Sequence, residues 1–296
     1  MGSKPSTEKN PTVRKTADKP NKYQLQQIDK HTACVNYLTA NEDGTVLYSG
    51  SDDKTLRMWS AADVPIECVG VLTGHQCSVN TVAVQKSFVF TGSTDGTIRM
   101  WDRTTCECLR VYEGHSRMIT CLHITARYLI STSVDSTIRA WYLQPPHNAD
   151  SCIRILRGHN KAVTSVLLIS APVEQNFGTD GSAGNVKKSG KEPGKTENGD
   201  MIVSGSADGT ARLWSLDSGK LIKTFTGHSG AIKCLAHDPT YISPTLVDSL
   251  QSTTGNHAGG MLLTASADTT LRSWDLRTGK TIQEFCGHRG PVTSLI

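Results

Sequence analysis

From residue 31 onward the chain is built of short stretches in which apolar and polar residues alternate, as in GTIRMW (96–101) and GTARLW (209–214). A period of two is the mark of a strand buried on one face. Asp-Gly or Asp-Lys stands just ahead of such stretches, where a tight hairpin turn belongs. The stretches recur. All five tryptophans fall at one position of a repeated segment: SGSDDKTLRMW (49–59), TGSTDGTIRMW (91–101), STSVDSTIRAW (131–141), SGSADGTARLW (204–214) and TASADTTLRSW (264–274). A His-bearing turn precedes each copy, at Lys30-His31, Gly74-His75, Gly114-His115, Gly158-His159 and Gly227-His228, and a sixth turn stands at Gly287-His288. These histidines are 44, 40, 44, 69 and 60 residues apart. Each unit predicts four short strands: one after the His, two flanking the Asp turn, and one before the next Gly-His. A single sheet of that size cannot bury both faces alone, so neighbouring units must stack, and radial stacking gives a β-propeller.

These Gly-His…Trp-Asp units closely resemble the WD-repeat family, and the resemblance covers nearly everything from His31 onward. It implies an all-β WD-repeat propeller with five complete four-stranded blades, and Pro291–Ile296 reads as the first strand of a sixth. The expectation is a truncated six- to seven-bladed ring, or an open ring with unpaired strand edges. In the family an N-terminal strand supplies the outer strand of the last blade, and Tyr23–Ile28 is the candidate here. Against a unit of roughly 42 residues, the fourth copy carries about 27 extra and the fifth about 18. These form insertions near residues 174–200, rich in Gly, Lys, Ser and Glu and flexible in composition, and near 239–259. Family geometry places both on the bottom face. The domain reading is therefore an arm over residues 1–22 and a propeller over 23–296.

Ser, His and Asp recurring together suggest a hydrolase. The resemblance implies instead a hydrogen-bonded network inside each blade. The first blade would use His31, Ser49, Asp53 and Trp59, and the second His75, Thr91, Asp95 and Trp101. The third would use His115, Ser131, Asp135 and Trp141, and the fourth His159, Ser204, Asp208 and Trp214. The fifth would use His228, Thr264, Asp268 and Trp274. The hydroxyl partner is either the residue named or the Ser two positions later (51, 93, 133, 206, 266). An active site occurs once per chain, whereas this set occurs five times, so it reads as structure, with no catalytic residue, cofactor or metal site. Arginines 57, 99, 139, 212 and 272 recur at one strand position, with stems expected to pack and heads to reach solvent or an acidic neighbour. SGKEPGKT (189–196) imitates a phosphate loop but leaves three residues where the motif needs four.

Composition refines this reading. The nine cysteines are scattered, without a C-x-x-C pair, and suit reduced thiols in the cytoplasm. No apolar run approaches the roughly 18 residues of a membrane span, and the start lacks a secretory signal. Of the net +4, all lies in residues 1–22, with six basic and two acidic groups; residues 23–296 hold 25 of each sign. A neutral body lacks the footprint of a nucleic-acid binder. The arm is disordered by composition. Its start, MGSKPS, fits the N-myristoylation pattern at Gly2, and the basic arm would supply the second signal for a membrane surface. The alternative is an ordinary tail beginning Met-Gly.

Two further expectations concern partners. WDLR (274–277) resembles the W-D-x-R box by which some propellers dock onto the adaptor of cullin-RING ubiquitin ligases, with Asp275 and Arg277 at an exposed strand end; an ordinary repeat end is the competing reading. Family top-face contact positions map to Asn36, Asn80, Thr120, Thr164 and Lys233, and to Asp52, Thr94, Val134, Ala207 and Ala267. They are mostly small and polar, without the aromatic or Arg anchors of hot spots. The leading expectation is a non-enzymatic scaffold binding proteins or peptides; the alternative is a substrate receptor of a ubiquitin ligase.

Overall fold

The computed structural model describes residues 28–62, 65–143, 151–169, 199–241 and 260–295. The chain divides into two compact units, Met1–Lys30 and His31–Ile296. Of the first unit only residues 28–30 are described, and they carry no strand. The expected arm, most of Tyr23–Ile28, the phosphate-loop look-alike and nearly all of both insertions lie outside the described residues.

The second unit consists of five antiparallel four-stranded sheets, each formed by strands consecutive in the chain. Blade one holds β1 (Val35–Ala40), β2 (Val46–Ser51), β3 (Leu56–Ser60) and β4 (Glu67–Leu72); blade two holds β5 (Val79–Gln85), β6 (Phe88–Ser93), β7 (Ile98–Asp102) and β8 (Cys108–Tyr112). Blade three holds β9 (Ile119–Ile124), β10 (Tyr128–Ser133), β11 (Ile138–Tyr142) and β12 (Cys152–Leu156). Blade four holds β13 (Val163–Ile169), β14 (Met201–Ser206), β15 (Ala211–Ser215) and β16 (Leu221–Phe225), and blade five holds β17 (Ile232–Asp238), β18 (Met261–Ser266), β19 (Leu271–Asp275) and β20 (Thr281–Phe285). Among the described residues there is no helix. Gly287–Leu295 continues the repeat and forms no strand; its Val292 N–H bonds to the Ser266 carbonyl at 3.0 Å.

The turn between the second and third strands of each blade needs a left-handed residue. Gly96 (φ 82°) and Gly209 (φ 81°) supply it without strain, whereas Lys54 (φ 70°), Ser136 (φ 66°) and Thr269 (φ 72°) adopt it with a side chain. The Asp one position earlier compensates: Asp53 Oδ1, for example, accepts the Thr55 N–H at 3.0 Å and its hydroxyl at 2.6 Å.

A strict period of two would send Val79 and Val82 to opposite faces. They share a face because β5 carries a bulge: Val79 pairs with Ser93, Thr81 with Gly92, and Asn80 is skipped. Every innermost strand does the same, skipping Asn36, Thr120, Thr164 and Lys233. The shared face then packs on the preceding blade. Tyr48, Leu56, Met58 and Leu72 of blade one meet Val79, Val82, Val89 and Trp101 of blade two in one buried cluster. The same eight positions build the clusters between blades two and three, three and four, and four and five. No blade has a core of its own.

Packing runs from β1 to β5, β9, β13 and β17 in turn, and no contact of that extent returns from β17 to β1 among the described residues. Repeat position therefore does not fix burial. Leu122 is 8 % exposed between blades, whereas Leu38 at the same place in blade one is 66 % exposed. Leu122→Ala should cost about 2–5 kcal/mol and Leu38→Ala less than about 0.5 kcal/mol in urea denaturation.

Candidate functional site

Two polar constellations stand out, one repeated inside all five blades and one on the rim of blades one and two. The interior one ties the His turn to the second strand, the hairpin turn and the third strand of its blade. In blade two, His75 Nδ1 lies 2.9 Å from Asp95 Oδ2, and Nε2 lies 2.7 Å from Thr91 Oγ1, which also accepts the Trp101 Nε1–H at 2.8 Å. A carboxylate only accepts, so Nδ1 carries the proton, and Nε2 then accepts from the Thr91 hydroxyl. The donors thus run in one direction, Trp to Thr to His to Asp.

The other four blades repeat this arrangement. In blade one, His31 lies 2.7 Å from Asp53 and 2.7 Å from Ser49, and Ser49 accepts from Trp59 at 2.8 Å. In blade three, His115 lies 2.8 Å from Asp135 and 2.9 Å from Ser131, and Ser131 accepts from Trp141 at 2.9 Å. In blade four, His159 lies 2.9 Å from both Asp208 and Ser204, and Ser204 accepts from Trp214 at 2.9 Å. In blade five, His228 lies 2.8 Å from both Asp268 and Thr264, and Thr264 accepts from Trp274 at 2.9 Å.

The choice between two hydroxyls is thereby made: Ser49, Thr91, Ser131, Ser204 and Thr264 meet the rings. The hydroxyl two residues later has a different task. Ser93 Oγ donates to the Cys77 carbonyl and accepts the Asp95 N–H, steadying the turn that carries the Asp. Ser51, Ser133, Ser206 and Ser266 accept the N–H of Asp53, Asp135, Asp208 and Asp268 likewise.

Burial pushes the Asp95 carboxyl up, but donors from His75 and Thr97 and the N–H groups of Thr97 and Gln76 outweigh it and hold it well below the usual carboxylate range. The other four aspartates are lowered by the same kind of contest. Burial also lowers His159, against the pull of Asp208. Each histidine ring edges against its tryptophan at 6.1–6.4 Å. Ser49, Ser131, Ser204 and Thr264 are buried, as are Trp59 and Trp274, so none of them faces a substrate or a partner. Five sealed copies with their hydrogen bonds mutually spent offer no nucleophile. Among the described residues no group of three or more His, Cys, Asp or Glu is arranged to hold a metal ion.

The strand arginines are half-buried, and their heads as well as their stems find neighbours. Arg99, Arg139 and Arg212 lie 5.8–5.9 Å over Trp101, Trp141 and Trp214. Arg57, Arg99 and Arg139 point a guanidinium N–H at the thiols of Cys68, Cys108 and Cys152, while Arg272 pairs with an acidic partner, Glu284 at 2.9 Å. This explains the glycine of the Gly-His turn: a Cβ on Gly74, at φ 151°, would sit 2.8 Å from Arg99 Nη1.

The rim constellation is built on the bulges. The skipped residue leaves the ladder and turns to the blade end. Asn36 Nδ2 donates to Asp52 Oδ1 at 2.7 Å and reaches Asn80 Oδ1 at 3.4 Å, and Asn80 Nδ2 donates to Thr94 Oγ1 at 2.6 Å. These four form one chain of bonds across blades one and two, and Asn36, Asp52 and Thr94 are exposed. The Asn36 donor, seconded by Ser78, lowers the Asp52 carboxyl and keeps it charged. Lys233 is exposed. Thr120 and Thr164 do not present hydroxyls to a partner: each is half-buried and donates across to the next blade, at the Val163 and Ile232 carbonyls.

WDLR differs from its expected reading. Asp275 is 6 % exposed, and its Oδ1 accepts the N–H of Arg277 at 2.8 Å and of Thr278 at 3.1 Å, closing the turn after β19. Its first role is therefore to end the strand. Arg277 is exposed, with its carbonyl accepting from Lys223 Nζ. Gly2 lies outside the described residues.

The family model described as "WD domain, G-beta repeat" (WD40) matches residues 22–60, 66–102, 106–142, 196–215 and 219–275. The chain is 25 % identical over 277 residues to mitochondrial division protein 1 of Schizosaccharomyces pombe, across 92 % of this chain and 34 % of that protein. Nuclear distribution protein PAC1 of Tuber melanosporum is 35 % identical over 102 residues, covering 33 % of this chain and 18 % of that one. The chain thus spans about a third or less of the length of these curated relatives.

His75→Ala should leave Thr91 and Asp95 with lost partners inside the blade and cost about 1–3 kcal/mol, read as a lowered melting temperature. The aspartates' folded pKa values lie below the unfolded value of about 3.9, so their contribution is complete above about pH 5 and is lost as pH falls through 4 toward the folded values. His159, harder to protonate when folded, adds loss in the same direction below about pH 6.5. Calorimetry from pH 7 to 3 should show melting temperature falling steadily, and Asp95→Asn, weaker at pH 7, falling less.

Proposed function

The chain belongs to the WD40-repeat family, and from that premise we propose that it is a non-enzymatic scaffold holding a protein or peptide segment on the rim of blades one and two. The bond chain Asp52–Asn36–Asn80–Thr94 carries this reading. Asn36, Asp52 and Thr94 are exposed, the chain is pre-ordered by its own hydrogen bonds, and it ends in the Asp52 carboxylate. Pre-ordering lowers the side-chain entropy lost on binding. The chemistry favours an extended segment rich in donors: backbone N–H groups, or a Lys or Arg directed at Asp52. Family members are generally scaffolds that bind other proteins, which supports the class.

Peptides selected from a displayed library on the full chain should lose at least about tenfold in affinity on Asp52→Ala with Asn80→Ala, equal to about 1.4 kcal/mol. Binding unchanged by that double substitution places the contact elsewhere.

The finer alternative, a substrate receptor of a cullin-RING ligase, rests on Arg277, because Asp275 is engaged in its own turn. Co-precipitation of the ligase adaptor that is lost on Arg277→Ala supports it, and absence of co-precipitation removes it.

A further inference from the structure

The blade ends that carry the bulges are not alike. In each blade the residue before the hairpin Asp donates its N–H to the carbonyl of the residue two places before the bulge, so the two stand together as one step. In blades one and two the steps carry a carboxylate or hydroxyls, Asp52 on Cys34 and Thr94 on Ser78. In blades three to five they are apolar and half-buried: Val134 on Met118, Ala207 on Ala162, and Ala267 on Ala231. These three steps are contiguous, because Thr120 bonds to the Val163 carbonyl and Thr164 to the Ile232 carbonyl, tying each blade end to the next.

One cation borders each step. Arg117 and Lys161 hold the same place in blades three and four, directly before Met118 and Ala162, with carbonyls that accept from Ser133 and Ser206 Oγ at 3.0 and 3.3 Å. Lys233 is the skipped residue of blade five. All three are exposed, and among the described residues none of them stands in an ion pair. The aspartates of these turns, Asp135, Asp208 and Asp268, are spent on their histidines. Glu113, the exposed carboxylate nearest in sequence to Arg117, follows β8, the outermost strand of blade two.

From this charge pattern we infer that blades three to five dock an extended acidic segment of another protein. Its Asp or Glu side chains meet Arg117, Lys161 and Lys233, and its aliphatic side chains lie on the apolar steps. An exposed ion pair alone contributes little, so recognition rests on three cations held in order by the blade repeat. The Arg117 fork, which can grip a carboxylate with two N–H groups, is the strongest of them. Three cations set among methyl groups, without an aromatic side chain in the strip, suit a peptide better than a nucleic acid, whose bases need stacking platforms, or a lipid surface, which draws on denser basic clusters. The strip shares no residue with the rim site of blades one and two, and the inference does not rest on that reading.

A displayed library of random peptides of roughly ten residues, selected on the full chain, provides the test. Peptides also held by the Arg117→Glu, Lys161→Glu double variant are removed, which discards any bound by the rim of blades one and two. The recovered peptides should be enriched in Asp and Glu over the input library. By fluorescence anisotropy, a recovered peptide should bind the double variant at least about tenfold more weakly, and Lys233→Ala about threefold more weakly. Raising salt to about 0.3 M should weaken binding to the wild type. Lys54→Glu makes the same charge reversal at an exposed cation in the blade-one hairpin and should leave the affinity unchanged. The substituted side chains are exposed, so the fold is spared, and unchanged melting temperatures check this. An empty or non-acidic recovered set, an equal loss on Lys54→Glu, or tighter binding of phosphatidylserine vesicles or oligothymidylate than of the recovered peptides overturns the inference.

Discussion

Everything in this molecule depends on burial between blades. A four-stranded sheet with a side chain alternately on each face has two surfaces to cover and no thickness in which to hide them. Here each sheet offers one apolar face forward and one back, and each buried cluster draws from two neighbours. Stability of a blade is then largely a nearest-neighbour quantity. This is why one repeat position is sealed in blades two to five and open in blade one.

Burial alone would let the sheets slide, since apolar contacts are non-directional. The interior Trp–hydroxyl–His–Asp relay supplies direction. It links the turn before the first strand to the second strand, the hairpin and the third strand, and every member is mostly enclosed. A slip of one residue would turn the serine or threonine away from the tryptophan and leave polar atoms without partners in a region closed to water. Apolar packing holds the blades together, and the relay sets their register.

Much of this is legible in the sequence because the same constraint is written five times. Trp101 and His75 mark fixed places in a unit, as Trp59 and Trp274 do in the first and fifth, and repetition itself tells structure from catalysis. Other features are hidden for definite reasons. Thr91 and Ser93 lie two apart on one face, so alternation cannot say which hydroxyl meets the histidine; the distances assign Thr91 to the ring and Ser93 to the turn. The same division separates Ser49 from Ser51, Ser131 from Ser133, Ser204 from Ser206 and Thr264 from Ser266. The bulge at Asn80 adds one residue to the count without any composition signal. Arg99, Arg139 and Arg212 look solvent-directed in sequence because their tryptophan partner, two residues on, is met only when the guanidinium lies over its ring. Asp275 reads as a free carboxylate, yet the Leu-Arg-Thr that follows gives it backbone N–H groups to close upon.

The bulge has a consequence for how such a molecule diversifies. A residue skipped by the ladder and turned out of the core carries little of the fold's free energy, while standing one bond from residues that carry much of it. In this chain the five skipped places read Asn, Asn, Thr, Thr and Lys, each directly after a Val or Ile that hardly varies in kind. Thr120 and Thr164 have been recruited as cross-ties, but Asn36, Asn80 and Lys233 remain open to rewriting. Specificity can drift there one letter at a time, on a frame that does not register the change.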